Sequence, residues 1–213
     1  MPQRPSRTLA ESLARRYRSL ELTRQRIEKL VGDGEISLRA AEHMYEGLFL
    51  STFTAFETFV EELFVGLLVS NAGLYSETAD VVPRFTIRSH IVARDLVIGA
   101  GRQYVDWLPS ERTEERANVF FRGGRPFTLL RDPTMANVLA VLGRGTIVRN
   151  AIAHKSRYSL HRFELNVIRG TALPPRERTP AGFLRGVGAG APVETRYETY
   201  ATGILTVARS LAS

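Results

Sequence analysis

The sequence contains no cysteine, which excludes disulfides, thiolate-bound zinc, iron–sulfur clusters and cysteine nucleophiles. It is almost without lysine: of 29 basic residues only Lys29 and Lys155 are lysines, leaving 27 arginines. Long apolar runs are missing too. The most apolar stretches, near Leu48 to Phe53 and Phe64 to Ser70, are separated by Thr54, Glu57, Glu61 and Glu62, so none reaches the roughly 18 residues of a membrane span. The first residues, Met1-Pro2-Gln3-Arg4-Pro5-Ser6-Arg7, are basic but lead to Glu11 and further charges rather than to an apolar signal core. These absences predict a cytoplasmic protein with no membrane partner.

What is present suffices for a folded core. The chain has 213 residues, 44% hydrophobic and 24% charged, which predicts one domain spanning 1–213 rather than a disordered chain. The formal charge is +7. Arginine binds phosphate bidentately and stacks on bases better than lysine, so the surplus raises nucleic acid as a partner without identifying one. A bias in the nucleotide composition of the gene would produce the same surplus.

Apolar periodicity predicts helices throughout. Leu9, Leu13, Tyr17, Leu20, Ile27 and Leu30 recur every three to four residues from Thr8 to about Val31, ahead of the breaker Gly32-Asp33-Gly34. Ser37 is the expected N-cap of a long second helix carrying Met44, Leu48, Phe53, Phe56, Val60, Leu63 and Leu67, ended by Asn71-Ala72-Gly73. These two predict an antiparallel pair opening a helical bundle. Further helices are expected after Pro83, from an N-cap at Ser110, after Asp132-Pro133 to about Ser156 with a kink at Gly143 and Gly145, and over Ser159 to Ile168. Residues 1–7 read as a flexible terminus, 170–192 as a long Gly/Pro-rich loop and 194–212 as a closing helix. The fold class is all-α, with extra helices around an antiparallel bundle.

One stretch collects chemistry. At about 100° per residue, Arg149, Asn150, Ala153 and His154 fall within an arc of about 140°, while Val148 and Ile152 fall on the other side. The helix can bury Val148 and Ile152 and turn a cation, a carboxamide and an imidazole outward together. Histidine titrates near neutrality and can move a proton, and arginine can hold a phosphate and stabilise charge developing on it. Together they suit metal-free RNA cleavage by an adjacent 2′-hydroxyl. Such cleavage works best with two proton-handling groups, and a twofold homodimer apposing this face would supply a second His154 and a second Arg149. Spacing alone is weak support, because among so many arginines the pair Arg84 and His90 also fits.

The context adds weight. Val148-Arg149-Asn150-Ala151-Ile152-Ala153-His154 resembles the signature of the HEPN superfamily, an Arg followed by a polar residue and then by a His four to six residues beyond. Ala55-Phe56-Glu57-Thr58-Phe59, and Pro180-Ala181-Gly182-Phe183-Leu184-Arg185 leading to Arg196-Tyr197-Glu198-Thr199-Tyr200, resemble its RiboL-PSP-HEPN branch. The resemblance implies a bundle that dimerises around a cleft lined by the two signature helices, and metal-independent endoribonuclease activity. It implies that Arg149 binds the phosphate, Asn150 orients it and His154 is the general base or acid. It also implies a toxin or defence effector with an antitoxin or defence-system protein as partner. Other members bind RNA, a nucleotide or a protein without cleaving, and that alternative stays open here.

Around this signature, Lys155, Arg157, Tyr158 and His161 form either an RNA-binding rim or an ordinary solvated helix edge. If the helix continues, His161 shares a face with His154. Glu57 is either a partly buried carboxylate serving the signature or a surface acid beside Glu61. Arg122-Gly123-Gly124-Arg125 reads as a turn more readily than as a phosphate cradle, lacking the Lys-Ser/Thr ending of a P-loop. His43 and His90 lack ligand-like neighbours, so no metal site and no cofactor are expected.

Overall fold

The computed structural model describes residues 6–69, 81–85, 87–99, 101–188 and 193–213. Among them the chain is all-helical: α1 (Ser6–Gly32), α2 (Leu38–Leu68), α3 (His90–Ile98), α4 (Ser110–Phe120), α5 (Ala136–His154), α6 (Arg157–Phe163), α7 (Pro180–Arg185) and α8 (Arg196–Ala212). Short 3-10 and π turns and isolated β-bridges accompany them, with no strand among these residues. Its contacts sort into two compact units: Arg15–Ala55 with Ala140–Ile204, and Met1–Ala14 with Phe56–Leu139 and Leu205–Ser213.

The first of these units is built from antiparallel helix pairs. Between α1 and α2, the Tyr17 hydroxyl donates to the Thr52 carbonyl at 2.9 Å, and the Tyr45 hydroxyl donates to Glu28 at 2.7 Å. α5 lies antiparallel to α2, with Gly145 against Phe53 and Lys155 reaching Glu46 at 2.8 Å. It also lies antiparallel to α8, with Gly145 against Tyr200 and Val141 against Gly203. Arg24 joins α1 to α8 through Glu198 at 2.9 Å. Phe49, Phe53, Tyr197 and Tyr200 fill the middle, Phe49 meeting both tyrosines edge to face. Met44, expected on this apolar face, is exposed, because Tyr45 takes the buried position in register with Ala41, Leu48, Phe49 and Thr52.

A buried charge stitches this unit together. Arg24 is almost fully enclosed and is held by both oxygens of Glu21, by Glu198 and by the Tyr45 hydroxyl. Tyr45 passes the link to Glu28, which receives a two-pronged bond from Arg185 of α7 at 2.9 Å on each oxygen. Burial pushes the Glu28 carboxyl up, but the hydrogen bonds from Arg185 and Tyr45 outweigh it and hold the group below its ordinary value.

α5 runs unbroken through Gly143 and Gly145, so the expected kink is absent. Gly145 is there for contact rather than flexibility: a Cβ would come within 2.9 Å of the buried Phe53 ring and 3.2 Å of Tyr200. The stretch expected as a loop over 170–192 also departs from its composition. It holds a 3-10 turn, Pro175–Arg178, and then α7. Thr179 caps α7 by accepting from the Gly182 N–H, and Pro180 stands at the first helical position, where proline starts a helix instead of breaking it. Phe183 and Leu184 are buried, and the Arg196 guanidinium lies 4.8 Å over the Phe183 ring while pairing with Glu177. Residues 189–192 lie outside the described residues.

The second unit centres on Phe64 of α2, ringed by Trp107, Phe120, Phe121 and Phe127 at 5.0–5.7 Å. Pro83 bridges to Phe121, and Arg84 donates its N–H to the Phe120 carbonyl. Arg84 and Phe85 form a bend rather than a helical turn, and α3 begins only at His90 behind a Ser89 cap. Pro109 occupies the N-cap of α4, moving Ser110 one place inside, and Glu114 is buried against Arg131. Ser6 and Arg7 belong to α1, not to a flexible tail, with the buried Ser6 hydroxyl donating to the Ala212 carbonyl. Residues 1–5 and the expected stop at Asn71-Ala72-Gly73 lie outside the described residues.

Two stability outcomes are expected. Gly145→Val should cost about 1–3 kcal/mol by overpacking, whereas Gly143→Ala, with open space at the new Cβ, should stabilise by about 0.4–1 kcal/mol. Urea denaturation of the two variants measures this, and equal stabilities would refute the packing account of Gly145. Because the Glu28 carboxyl is held down in the fold, its contribution is present at neutral pH and lost as pH falls through that lowered value. Glu28→Gln should therefore flatten the loss of stability between pH 6 and pH 3; an acid limb as steep as in the unaltered protein would contradict it.

Candidate functional site

The exposed end of α5 carries the sequence-predicted cluster. Val148, Ala151 and Ile152 are buried, Arg149 and Asn150 are half-buried, and Ala153 and His154 are exposed. That alternation follows the helical arc read from the sequence. The Arg149 guanidinium donates to the Asn150 side-chain oxygen at 3.0 Å. Successive residues on a helix diverge, so this bond requires the long arginine side chain to lean across toward its neighbour. The carboxamide thereby orients a planar fork of N–H donors suited to phosphate oxygens.

α5 ends at His154 for a local reason. Lys155 adopts a left-handed conformation, φ 47°, and its N–H closes back on the Ala151 carbonyl at 3.2 Å, an αL stop built without glycine. Its side chain reaches Glu46 of α2, which fixes the helix end to its neighbour. Lys155 is thus engaged in the fold as well as standing beside the cluster. Ser156 then caps α6, accepting from the Ser159 N–H at 3.1 Å.

This break corrects one expectation. His161 would lie above His154 only on a continuous helix, and the chain instead turns at Lys155 and Ser156 before α6 begins. His161 is exposed, together with Arg157 and Tyr158, on α6. Tyr158 is 71% exposed, and Arg162, one turn on, donates to its hydroxyl at 3.4 Å. Arg162 is the member of this rim that residue-by-residue reading overlooked; its spacing of four from Tyr158 was the available signal.

Glu57 is half-buried on α2 and belongs to the other compact unit from Arg149, Asn150, His154 and the α6 residues. The segment Arg122-Gly123-Gly124-Arg125 forms a tight 3-10 turn with both glycines at φ 68°, and a Cβ on Gly124 would strike Asn118. His43 is engaged with the Arg39 carbonyl at 2.8 Å, and His90 is the exposed first residue of α3. Among the described residues no group of three His, Asp or Glu side chains gathers as a metal ligand set.

Beneath α5, burial pushes the Tyr200 hydroxyl up to about 12, against the opposing charges of Arg144 and Arg196, so it stays neutral at physiological pH. The chemistry available at the helix end is therefore that of its outward groups: a guanidinium held by a carboxamide, an exposed imidazole, and an exposed phenol ring on α6. Those groups can bind a phosphate, move a proton and stack on a base. Compared with known proteins, the chain matches no family model, no curated protein and no solved structure.

Proposed function

We propose that this chain is a metal-independent endoribonuclease of the HEPN type, with its site at the exposed end of α5. The observation that carries the reading is the polar cluster itself. Arg149, bonded to Asn150, and His154 sit on a helix whose opposite face is buried. A guanidinium and an imidazole on a rigid, anchored element fulfil the first requirement for phosphoryl chemistry, which is positioning.

In this reading the 2′-hydroxyl of the RNA attacks the adjacent phosphorus, forming the 2′-oxygen–phosphorus bond and breaking the bond to the 5′-oxygen. The products are a 2′,3′-cyclic phosphate and a free 5′-hydroxyl. His154 takes the proton from the 2′-hydroxyl or delivers one to the departing oxygen. Arg149 neutralises charge building on the equatorial phosphate oxygens, and Asn150 is a positioning residue acting on Arg149. One chain supplies one imidazole, so a homodimer apposing two α5 ends completes the acid–base pair. Tyr158 and Arg157 extend contact along the strand, with His161 and Arg162 behind them. In this reading the protein is a cytoplasmic toxin or defence effector restrained by a partner protein.

His154→Ala should lower cleavage of a generic single-stranded RNA in EDTA by about 10²- to 10⁴-fold, the usual worth of a general acid or base. Arg149→Lys should restore little activity, because a point charge does not reproduce the bidentate fork. RNA methylated at its 2′-hydroxyls should resist the unaltered protein. Gel analysis of labelled RNA reads all three, and undiminished cleavage by His154→Ala would overturn the mechanism. Binding of RNA without turnover by the unaltered protein would instead favour a non-catalytic module using the same surface.

A further inference from the structure

The second compact unit carries a further group of arginines, none of them on α5. A cavity of about 860 Å³ opens between residues 101–106 and one face of α4, with Arg102 and Tyr104 on the first wall and Arg112 and Arg116 on the second. The volume falls within the roughly 300–1,000 Å³ typical of small-molecule sites.

Each wall is fixed differently. Arg116 is held in place: its guanidinium lies 5.2 Å over the ring of the buried Trp107 and donates to the Asp106 carbonyl at 3.3 Å. Arg112 pairs with the Asp106 carboxylate at 2.9 Å. Arg102 is exposed on the facing segment. The cavity's carboxylates are Asp106, which is engaged by Arg112, and the exposed Glu115, so three guanidiniums face two acids. Burial first, and then the like charges of Arg102 and Arg112, lower the Arg116 guanidinium below its ordinary value, with Asp106 opposing. A dianion entering the cleft would relieve that crowding.

Tyr104 adds a second kind of surface. It is 74% exposed, an aromatic ring turned to solvent at the rim of a cationic cavity. Anion attraction alone would require only the arginines. An aromatic face beside them matches a ligand that joins a phosphate to a flat base.

We propose that this cleft binds a nucleotide unit, its phosphate among Arg102, Arg112 and Arg116 and its base stacked on Tyr104. The unit can belong to a free nucleotide or to a single strand, and the shared chemistry is the same. The proposal stands independently of the α5 reading, since it uses none of those residues.

The test uses the full chain and a fluorescent 2′-O-methyl octauridylate, which cannot be cleaved by 2′-hydroxyl attack. Tyr104→Ala should weaken binding roughly tenfold through loss of one stacked base. Arg102→Ala should weaken it and reduce the slope of log affinity against log salt by about 0.7, the change expected for one phosphate contact on a single strand. Both side chains are exposed, so melting temperatures should be unchanged. Competition by uridine monophosphate identifies the source: displacement at matched nucleotide concentration indicates a free-nucleotide site, and displacement only by the octamer indicates a strand track. Unaltered affinity in both variants would overturn the proposal. So would a loss in Arg102→Ala with none in Tyr104→Ala, or equal displacement by inorganic phosphate, because either reduces the cleft to diffuse charge attraction.

Discussion

Burial of the Arg24 guanidinium constrains the unit that carries the candidate site more than any other single interaction. A charge removed from water must be fully partnered or the fold loses several kcal/mol, on the order of 3–5 when one partner of such a pair is taken away. Arg24 meets this with Glu21 on its own helix, Glu198 on α8 and the Tyr45 hydroxyl on α2. These partners come from three helices, so the requirement is met in only one register of α1, α2 and α8. Tyr45 and Glu28 then extend the same demand to Arg185, bringing α7 under it. Apolar packing around Phe49 and Phe53 supplies the greater driving force, but it tolerates sliding that a directional, buried ion network does not.

The position of α5 follows from this frame. Once α2 and α8 are in register, Phe53 and Tyr200 define a narrow slot, and Gly145 is the residue that fits it. Close approach at Gly145 seats Val148 and Ile152 one and two turns on, which obliges Arg149, Asn150 and His154 to face outward. The left-handed Lys155 then ends the helix one residue past His154. The outward side chains at this helix end are thus set by the close packing at Gly145 and by a stop immediately after His154, with the Arg149–Asn150 bond as a local tie between two of them.

How much of this the sequence revealed depends on the range of the interaction. The paths of α1, α2, α5 and α8 follow from apolar spacing, and the outward arc on α5 from the same 3.6-residue period, since both are local properties. The cap at Asp132 and the cap at Ser37 were legible for the same reason. What escaped depended on contacts distant in the chain. Arg24 reads as one more surface charge among many, and only Glu198, 174 positions away, shows it to be interior. The segment 170–192 reads as loop by its glycines and prolines, yet α7 forms because Phe183 and Leu184 are buried and Arg196 covers the Phe183 ring. Gly145 suggested a kink because helix propensity counts its entropy and not the neighbour that needs the space. Lys155 gave no sign of stopping α5, since lysine seldom adopts the left-handed conformation that glycine or asparagine takes easily.

The arginine surplus, finally, divides by what surrounds each guanidinium rather than by its number. Arg24, Arg185 and Arg196 are matched by carboxylates and, for Arg196, by an aromatic face; their planar forks do structural work that lysine's point charge could not reproduce. Arg102, Arg112 and Arg116 differ in that they crowd one another around a cavity with fewer acids than cations. Like charges brought together on a folded surface oppose the fold that holds them. Such an arrangement persists when neighbouring contacts are strong enough to sustain it, here Arg116 on Trp107 and Arg112 on Asp106. Net charge therefore says little about where an anion would bind, whereas guanidiniums crowded on a fixed scaffold distinguish the proposed cleft from the rest of the basic surface.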